Sequence, residues 1–231
     1  MPAQSVQGAE VVSAANVDSI SVLLVLAAAL AGCILSPIAE LLIARLLPRF
    51  GEAPRLRARI TTAAITSLVC AAFAAHFGSA LSLPAFLLLA VLGAQLARID
   101  VALHLLPNPL VLILLTGGLL LFLLPGLIGK QSDDLLRAAL GAVILFAAYL
   151  ILGLISPGSI GMGDVKLAAP VGLYLGYLGW SHILYGGLLG FILNGVVSVL
   201  VISRKGRTNA TEVPHGPSML GALGAVTFLI A

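Results

Sequence analysis

The sequence predicts an all-α polytopic membrane protein with about eight transmembrane helices. Hydrophobic residues make up 60% of the 231 residues and charged residues only 9%, whereas a soluble domain carries about 25% charged residues. Such a chain cannot cover a water-facing surface with polar groups, and its high hydrophobicity excludes intrinsic disorder. Its apolar runs lack the alternation of barrel strands. Helices are therefore the structure that satisfies the backbone inside lipid.

Eight apolar runs are candidates for the membrane-spanning helices. A bilayer core of about 30 Å needs about 20 apolar residues per helix, within a range of about 17 to 25. The third, sixth and eighth runs are short by this measure. In chain order the predicted spans are Ser19–Ala44, Ile60–Phe77, Pro84–Arg98, Pro109–Ile128, Arg137–Ile155, Lys166–Trp180, His182–Ser203 and Pro217–Ala231.

The distribution of basic residues predicts that both termini lie on the extracytoplasmic side. Cytoplasmic connections of membrane proteins carry an excess of Lys and Arg. With the N-terminus outside, only Lys130 and Arg137 of the twelve Lys and Arg residues fall outside. The net charge of +3 is then a topology signal, and no nucleic-acid partner is expected. The basic residues predicted inside are Arg45, Arg49, Arg55, Arg57, Arg59, Arg98, Lys166, Arg204, Lys205 and Arg207.

The first 18 residues are predicted to form an extracytoplasmic tail. They contain no Lys or Arg and two acidic residues, Glu10 and Asp18. A cleaved signal peptide begins with a basic region, so we expect none here.

Three acidic residues lie in or beside the predicted spans. Glu40 is near the inner end of the first span, Asp100 directly follows the third, and Asp164 directly precedes the sixth. Charge at such positions is costly and indicates function by default. Each aspartate also has a structural interpretation. Asp164 follows a glycine-rich turn and suits a helix N-cap, and Asp100 suits a pair with Arg98 or His104.

Asp100 and Asp164 fall on one predicted face of the membrane, which favours a shared catalytic site. Two facing carboxylates can share one proton, because like charges at short range cannot both ionise. One can act as a general base on water while the other protonates the substrate carbonyl, so peptide hydrolysis needs neither a metal nor a covalent intermediate. The sequence has no His-Glu-x-x-His, Gly-x-Ser-x-Gly or cysteine-rich metal set. We therefore expect no metal and no cofactor.

The segments around the two aspartates resemble the type IV prepilin peptidases, a branch of the Gly-x-Gly-Asp membrane aspartyl proteases. Asp100 leads into Leu-Leu-Pro at 105–107, and Asp164 closes the Gly-x-Gly-Asp motif in Gly-Met-Gly-Asp-Val-Lys-Leu at 161–167. A weaker match is Pro-His-Gly-Pro at 214–217, where the family usually has Phe at the second position.

The resemblance implies a single membrane-embedded peptidase domain over residues 19–231. Such an enzyme would cut the short basic leader from pilin-like precursors at the cytoplasmic face of the cell membrane. Its partners would be these precursors and the lipid bilayer, and its oligomeric state is left open. The implied catalytic residues are Asp100 and Asp164, the supporting residues are Gly161, Gly163, Lys166 and Pro107, and the candidates for a substrate groove are Glu40 and His215.

Two departures limit what the resemblance implies. Longer members have a cytoplasmic loop with two Cys-x-x-Cys pairs after the first span, whereas the Pro48–Arg59 loop has no cysteine. Glu40 also stands where Asn is common. The longer enzymes methylate the new N-terminus using S-adenosylmethionine, and for this chain methyl transfer is not predicted either way.

The sequence leaves two other functions open. One is a small transporter in which the carboxylates carry protons or cations, and the other is a non-catalytic scaffold of a pilus or secretion machine. Transporters usually hold such charges near the bilayer midplane, whereas these aspartates flank the predicted spans.

Overall fold

The fold is a bundle of α-helices. A computed structural model describes residues 3–47, 55–128, 132–156, 160–205 and 213–230, with the backbone alone given for helical residues 3–20 and 204–205. Over these residues the chain forms eight helices and no strand, so the all-α prediction is confirmed. The helices are α1 (Ala3–Leu46), α2 (Leu56–Phe77), α3 (Leu83–Leu103), α4 (Asn108–Ile128), α5 (Ser132–Ile155), α6 (Met162–Leu178), α7 (Trp180–Lys205) and α8 (Gly216–Leu229).

Six helices in the described part of the chain are long and apolar enough to cross a membrane. They are α1 from Ser21 onward, α2, α3, α4, α5, and α7 up to Ser203. Helix α8 is a shorter apolar helix, and α6 has 17 residues. The prediction of a polytopic membrane protein is confirmed. The backbone is already helical at Ala3, so the predicted tail is helical and continuous with the first span. The side of the membrane on which the tail lies stays a prediction.

The predicted end of the third span is wrong. Helix α3 continues past Arg98 to Leu103, so Asp100 lies in the last helical turn and not after the helix. An apolar run is interrupted by the first charged residue, whereas the backbone hydrogen bonds of a helix continue through it. The helix stops at His104, whose φ of 53° is left-handed.

The helix that contains the sixth predicted span begins earlier than that span. Helix α6 begins at Met162 with Gly161 as its N-cap, so Asp164 lies within the first turn and does not itself cap the helix. Trp180, predicted to end this span, instead begins α7. Both aspartates are therefore held by helical backbone, which fixes their positions more firmly than a loop would.

Glycines allow α5 and α6 to pack with their backbones in contact. A Cβ added at Gly172 would overlap the carbonyl of Gly141 on the facing helix, and one at Gly176 would lie 2.6 Å from the carbonyl oxygen of Arg137. Small residues at a spacing of four are the usual means by which membrane helices approach closely. Gly172 and Gly176 therefore allow the close contact between α5 and α6.

Arg137 links α5 and α6 at the end of the pair that is far from Asp164. Its guanidinium donates hydrogen bonds to the carbonyl oxygens of Gly176 at 2.7 Å and Tyr177 at 2.8 Å. It also pairs with Asp134 at 2.8 Å. The last carbonyls of a helix lack intrahelical partners, so Arg137 satisfies the end of α6 from α5. Lys130, the other basic residue predicted outside, falls beyond the described residues.

An aromatic core fills the bundle at the far end from the aspartates. Phe86 of α3 lies against Phe77 with ring centroids 4.2 Å apart, and Phe122 stacks on Tyr177 at 4.0 Å. The hydroxyl of Tyr174 donates to the carbonyl oxygen of Ala85 at 3.0 Å. This core packs α3, α4 and α6 together.

Candidate active site

A cavity of about 660 Å³ opens where α3 and α5 end and where α6 and α8 begin, with α7 as one wall. Both predicted catalytic aspartates line it. Its lining is Asp100, His104, Leu152, Ser156, Ile160, Gly161, Asp164, Phe191, Asn194, Ser198, Val213, Pro214 and His215.

Asp100 is held in the cavity wall by the backbone of α8. It is only 5% exposed, and its Oδ2 accepts a hydrogen bond from the backbone N–H of Gly216 at 3.1 Å. A Cβ at position 216 would lie 2.7 Å from this oxygen, so the approach requires glycine. The predicted alternative pair with Arg98 does not form, because the Arg98 guanidinium donates to Oε1 of Gln95 at 3.1 Å. Burial disfavours a negative charge on Asp100, and the N–H donor offsets part of this cost.

Asp164 lies in the first turn of α6, ahead of the predicted span Lys166–Trp180. Burial and then the nearby charge of Asp100 raise the pKa of Asp164 to about 6, against a hydrogen bond from the backbone of Gly161 that lowers it. Both carboxylates line the same cavity.

The two aspartate motifs pack against each other. A Cβ at Gly163 would lie 3.1 Å from the Cβ of Leu106, so a side chain there would push apart the segments that carry Asp100 and Asp164. Pro107, next to Leu106, is buried. Lys166 is exposed and donates to Oδ1 of Asn108 at 3.0 Å, which links the start of α6 to the start of α4.

His215 closes one side of the cavity together with two aromatic rings. Its Nε2 lies 2.9 Å from the hydroxyl of Tyr149 in a buried hydrogen bond, and its ring centroid is 5.2 Å from that of Phe191. Burial lowers the pKa of His215, so the imidazole is neutral at neutral pH.

Comparison with known proteins identifies the family. Residues 86–202, half of the chain, match the type IV leader peptidase family, and this range includes both aspartates of the cavity. The chain belongs to this family. The resemblance seen at the aspartate motifs is thereby confirmed.

Curated relatives of this family are similar over most of the chain. Over 143 residues the chain is 32% identical to the prepilin leader peptidase/N-methyltransferase of Stutzerimonas stutzeri, covering 62% of this chain and 48% of the relative. The protein of the same name from Xanthomonas campestris pv. campestris is 31% identical over 165 residues, covering 71% and 56%. That of Pseudomonas aeruginosa is 30% identical over 153 residues, covering 66% and 51%.

The chain spans about half the length of the curated relatives it matches. No solved structure shows a significant match to it.

In this leader peptidase family member, Glu40 lies away from the cavity. Its carboxylate is 1% exposed and contacts Nε of Arg59 at 3.1 Å and Nε of Arg98 at 3.8 Å. Gln95, which binds Arg98, also donates to Ser36 of α1 at 3.2 Å. This polar cluster joins α1, α2 and α3. Of the two candidates for a substrate groove, His215 lines the cavity and Glu40 does not.

Several cavity residues were missed by sequence reasoning. Phe191, Asn194 and Ser198 of α7 line the cavity, and Tyr149 of α5 binds the cavity residue His215. Asn194 had a visible signal, since it is a polar residue in an apolar helix. Its Oδ1 is buried without a hydrogen-bond partner among the described residues.

His104 also lines the cavity. Its left-handed backbone ends α3 four residues after Asp100. Within the described residues, no group of three or more His, Cys, Asp or Glu could hold a metal ion.

Proposed function

We propose that this chain is a membrane aspartyl endopeptidase that cuts the short basic leader from type IV pilin-like precursors. The observation that carries the proposal is that Asp100 and Asp164 line one cavity. Membership of the leader peptidase family favours this activity over a transporter or an assembly scaffold. The names of the relatives support pilin precursors as the substrate.

The surroundings of the two carboxylates suggest different roles for them. Asp100 accepts the Gly216 N–H and suits the ionised general base that takes a proton from water. Asp164, with its raised pKa, suits the acid that protonates the carbonyl oxygen of the scissile bond. Water attack then gives a tetrahedral diol. Asp100 then gives the proton it took from water to the leaving nitrogen, and Asp164 takes a proton back from a diol hydroxyl. The C–N bond breaks, and both carboxylates return to their starting protonation states.

We propose further that the cavity opens on the cytoplasmic face of the cell membrane. Helices α3, α5 and α7 run towards the cavity end and α4, α6 and α8 run away from it, so the basic residues predicted inside belong to the same end. Among them are Arg98 of α3 and Lys166 of α6. The excess of basic residues on the cytoplasmic side of membrane proteins supports this orientation. A basic leader would remain on that side for the same reason.

The walls of the cavity suit a segment that is polar at one end and apolar at the other. Asn194, Ser198 and Ser156 supply polar groups, and Leu152, Ile160 and Phe191 supply apolar surface. A precursor that sits in the membrane is expected to change from its basic leader to an apolar helix where it enters the lipid. The scissile bond would lie at this change, beside the two carboxylates.

Cleavage by the purified chain tests the proposed function. The protein is reconstituted in lipid vesicles with a synthetic precursor that joins a short basic leader to an apolar helix. Mass spectrometry is expected to find the free leader and the shortened helix. The same peptide synthesised without its leader serves as the control and should stay intact. An intact precursor after incubation with folded protein would refute the proposal.

The rate of cleavage is expected to fall as pH rises above about 6. Asp164 must hold its proton to act as the acid, and its pKa of about 6 lies above the value of about 3.9 for a free aspartate. Its protonated form therefore persists to higher pH than usual and is lost above about 6. The measurement is kcat/KM between about pH 5 and pH 8, where loss of one proton gives about a tenfold fall per pH unit. A rate that is constant or rises over this range would contradict the assignment.

A further inference from the structure

We propose that the hydrogen bond between Tyr149 and His215 positions the Gly216 amide against Asp100, which makes Tyr149 and His215 positioning residues of the active site. The inference rests on the proposed function for its kinetic readout, and its spectroscopic readout is independent of that function.

The contacts form a continuous chain from α5 to Asp100. Tyr149 is 2% exposed on α5, and its hydroxyl lies 2.9 Å from Nε2 of His215. The next residue, Gly216, donates its N–H to Oδ2 of Asp100 at 3.1 Å. The peptide bond between residues 215 and 216 is planar, so fixing His215 restricts the direction in which the Gly216 N–H points.

The hydrogen bond is the directional part of this contact. The ring of His215 is tilted at 42° to that of Tyr149 and at 40° to that of Phe191, with centroids 5.6 Å and 5.2 Å away. Such ring contacts hold the imidazole in place and allow several orientations, whereas a hydrogen bond requires donor and acceptor to be aligned. Gly216 has no side chain that could fix its own orientation. The carbonyl oxygen of His215 also accepts a hydrogen bond from the backbone N–H of Met219 at 3.1 Å, so the His215 side chain acts as a second anchor on the peptide that carries the Gly216 N–H.

The hydrogen bond depends on the presence of histidine at position 215. At position 215 the family pattern usually has Phe, which fills the same space and has no nitrogen to bond with Tyr149. The expected effect is therefore a tuning of the active site and not an all-or-none requirement. The titratable groups around the Gly216 amide and His215 are Asp100 and His104 of α3, Tyr149 of α5 and Asp164 of α6.

A single amide signal can report on this arrangement. His215-Gly216 is the only His-Gly pair in the sequence, so ¹³C-carbonyl histidine with ¹⁵N-glycine labels the Gly216 amide alone. In full-length protein in detergent micelles, this signal should titrate with the ionisation of Asp100, and Asp100→Asn should abolish the titration. Tyr149→Phe should shift the amide proton upfield and weaken the titration, because the N–H is no longer held on Oδ2.

Tyr174→Phe is the matched control. It removes the same atom from another buried tyrosine, whose hydroxyl binds the carbonyl of Ala85 away from the cavity, and should leave the Gly216 signal unchanged. A Tyr149→Phe spectrum identical to that of the unmodified protein would overturn the proposal. Failure of Tyr149→Phe to fold, when Tyr174→Phe folds, would also overturn it, since the hydroxyl would then be a general structural anchor.

Kinetics supply the second readout. Tyr149→Phe should lower kcat about 3- to 10-fold, as expected for one hydrogen bond, with KM unchanged and the acidic limb of the pH profile moved to higher pH. His215→Phe should have the same effect, and the double variant should be no slower than either single one. An effect on KM alone, or additive effects, would count against positioning. If the unmodified protein cleaves no precursor, the proposed function fails and the amide signal still tests this inference.

Discussion

Asp100→Asn and Asp164→Asn are each expected to reduce leader cleavage to the background rate. The mechanism needs one carboxylate without its proton and one with it, and an amide can act neither as a base nor as an acid. Loss of general acid–base catalysis costs about 10²- to 10⁴-fold in rate. Because the two groups act as one unit, the double variant should be no slower than either single variant. The measurement is release of the leader from the synthetic precursor in vesicles.

Asp133→Asn provides the control for these two variants. It makes the same change at an exposed aspartate in the first turn of α5, at the end of the helix that does not reach the cavity. It should cleave at the normal rate. All variants should show the same thermal unfolding, since Asn fits the space of Asp. Normal cleavage by a folded Asp100→Asn or Asp164→Asn protein would disprove the two-aspartate mechanism.

The membrane class and the two aspartates could be predicted from the sequence because charge is scarce in it. With 9% charged residues, an acidic residue beside a span is unusual enough to be noticed. The apolar runs predicted the number and order of the helices, because few charged residues interrupt them. Neither signal depends on how the helices pack.

The remaining features of the site depend on packing between helices, which hydropathy does not record. Glu40 lies near the same predicted face as the aspartates, but its side chain meets Arg59 of α2 and not the cavity. Tyr149 is one of many large residues in α5, and only the bundle brings it to His215. The apolar run ends at Arg98, so hydropathy predicts that Asp100 lies outside the helix. The helical hydrogen bonds continue beyond the run, and Asp100 therefore lies inside α3.

Gly172→Leu is expected to prevent the protein from folding into a compact bundle. The atoms nearest to a Cβ at Gly172 are the carbonyl oxygen and carbon of Gly141 and the Cα of Ala142. All three are backbone atoms, so no side chain can turn away and the helices themselves must separate. Overpacking costs about 1–3 kcal/mol where side chains can adjust, and here we expect a larger loss.

Gly172→Leu is also expected to abolish cleavage, because Gly172 lies on the helix that carries Asp164. Asp164 lies eight residues earlier, about 12 Å along the helix, and Leu152 and Ser156 of α5 line the same cavity. Separating α5 from α6 therefore moves one wall of the cavity relative to Asp164. We expect a broad size-exclusion profile and no cleavage. We also expect thermal unfolding at a lower temperature than for the unmodified protein, measured by the fluorescence of Trp180.

Gly221→Leu tests whether the effect comes from the contact or from the substitution itself. Gly221 is exposed on α8, and a Cβ there would meet no atom within 4 Å. The same leucine should leave folding and cleavage unchanged there, or stabilise the helix by up to about 1 kcal/mol, because glycine is a poor helix former. Alanine at position 172 should give an intermediate loss. Equal stability of Gly172→Leu and Gly221→Leu would show that α6 can carry Asp164 into the cavity without the backbone contact to α5.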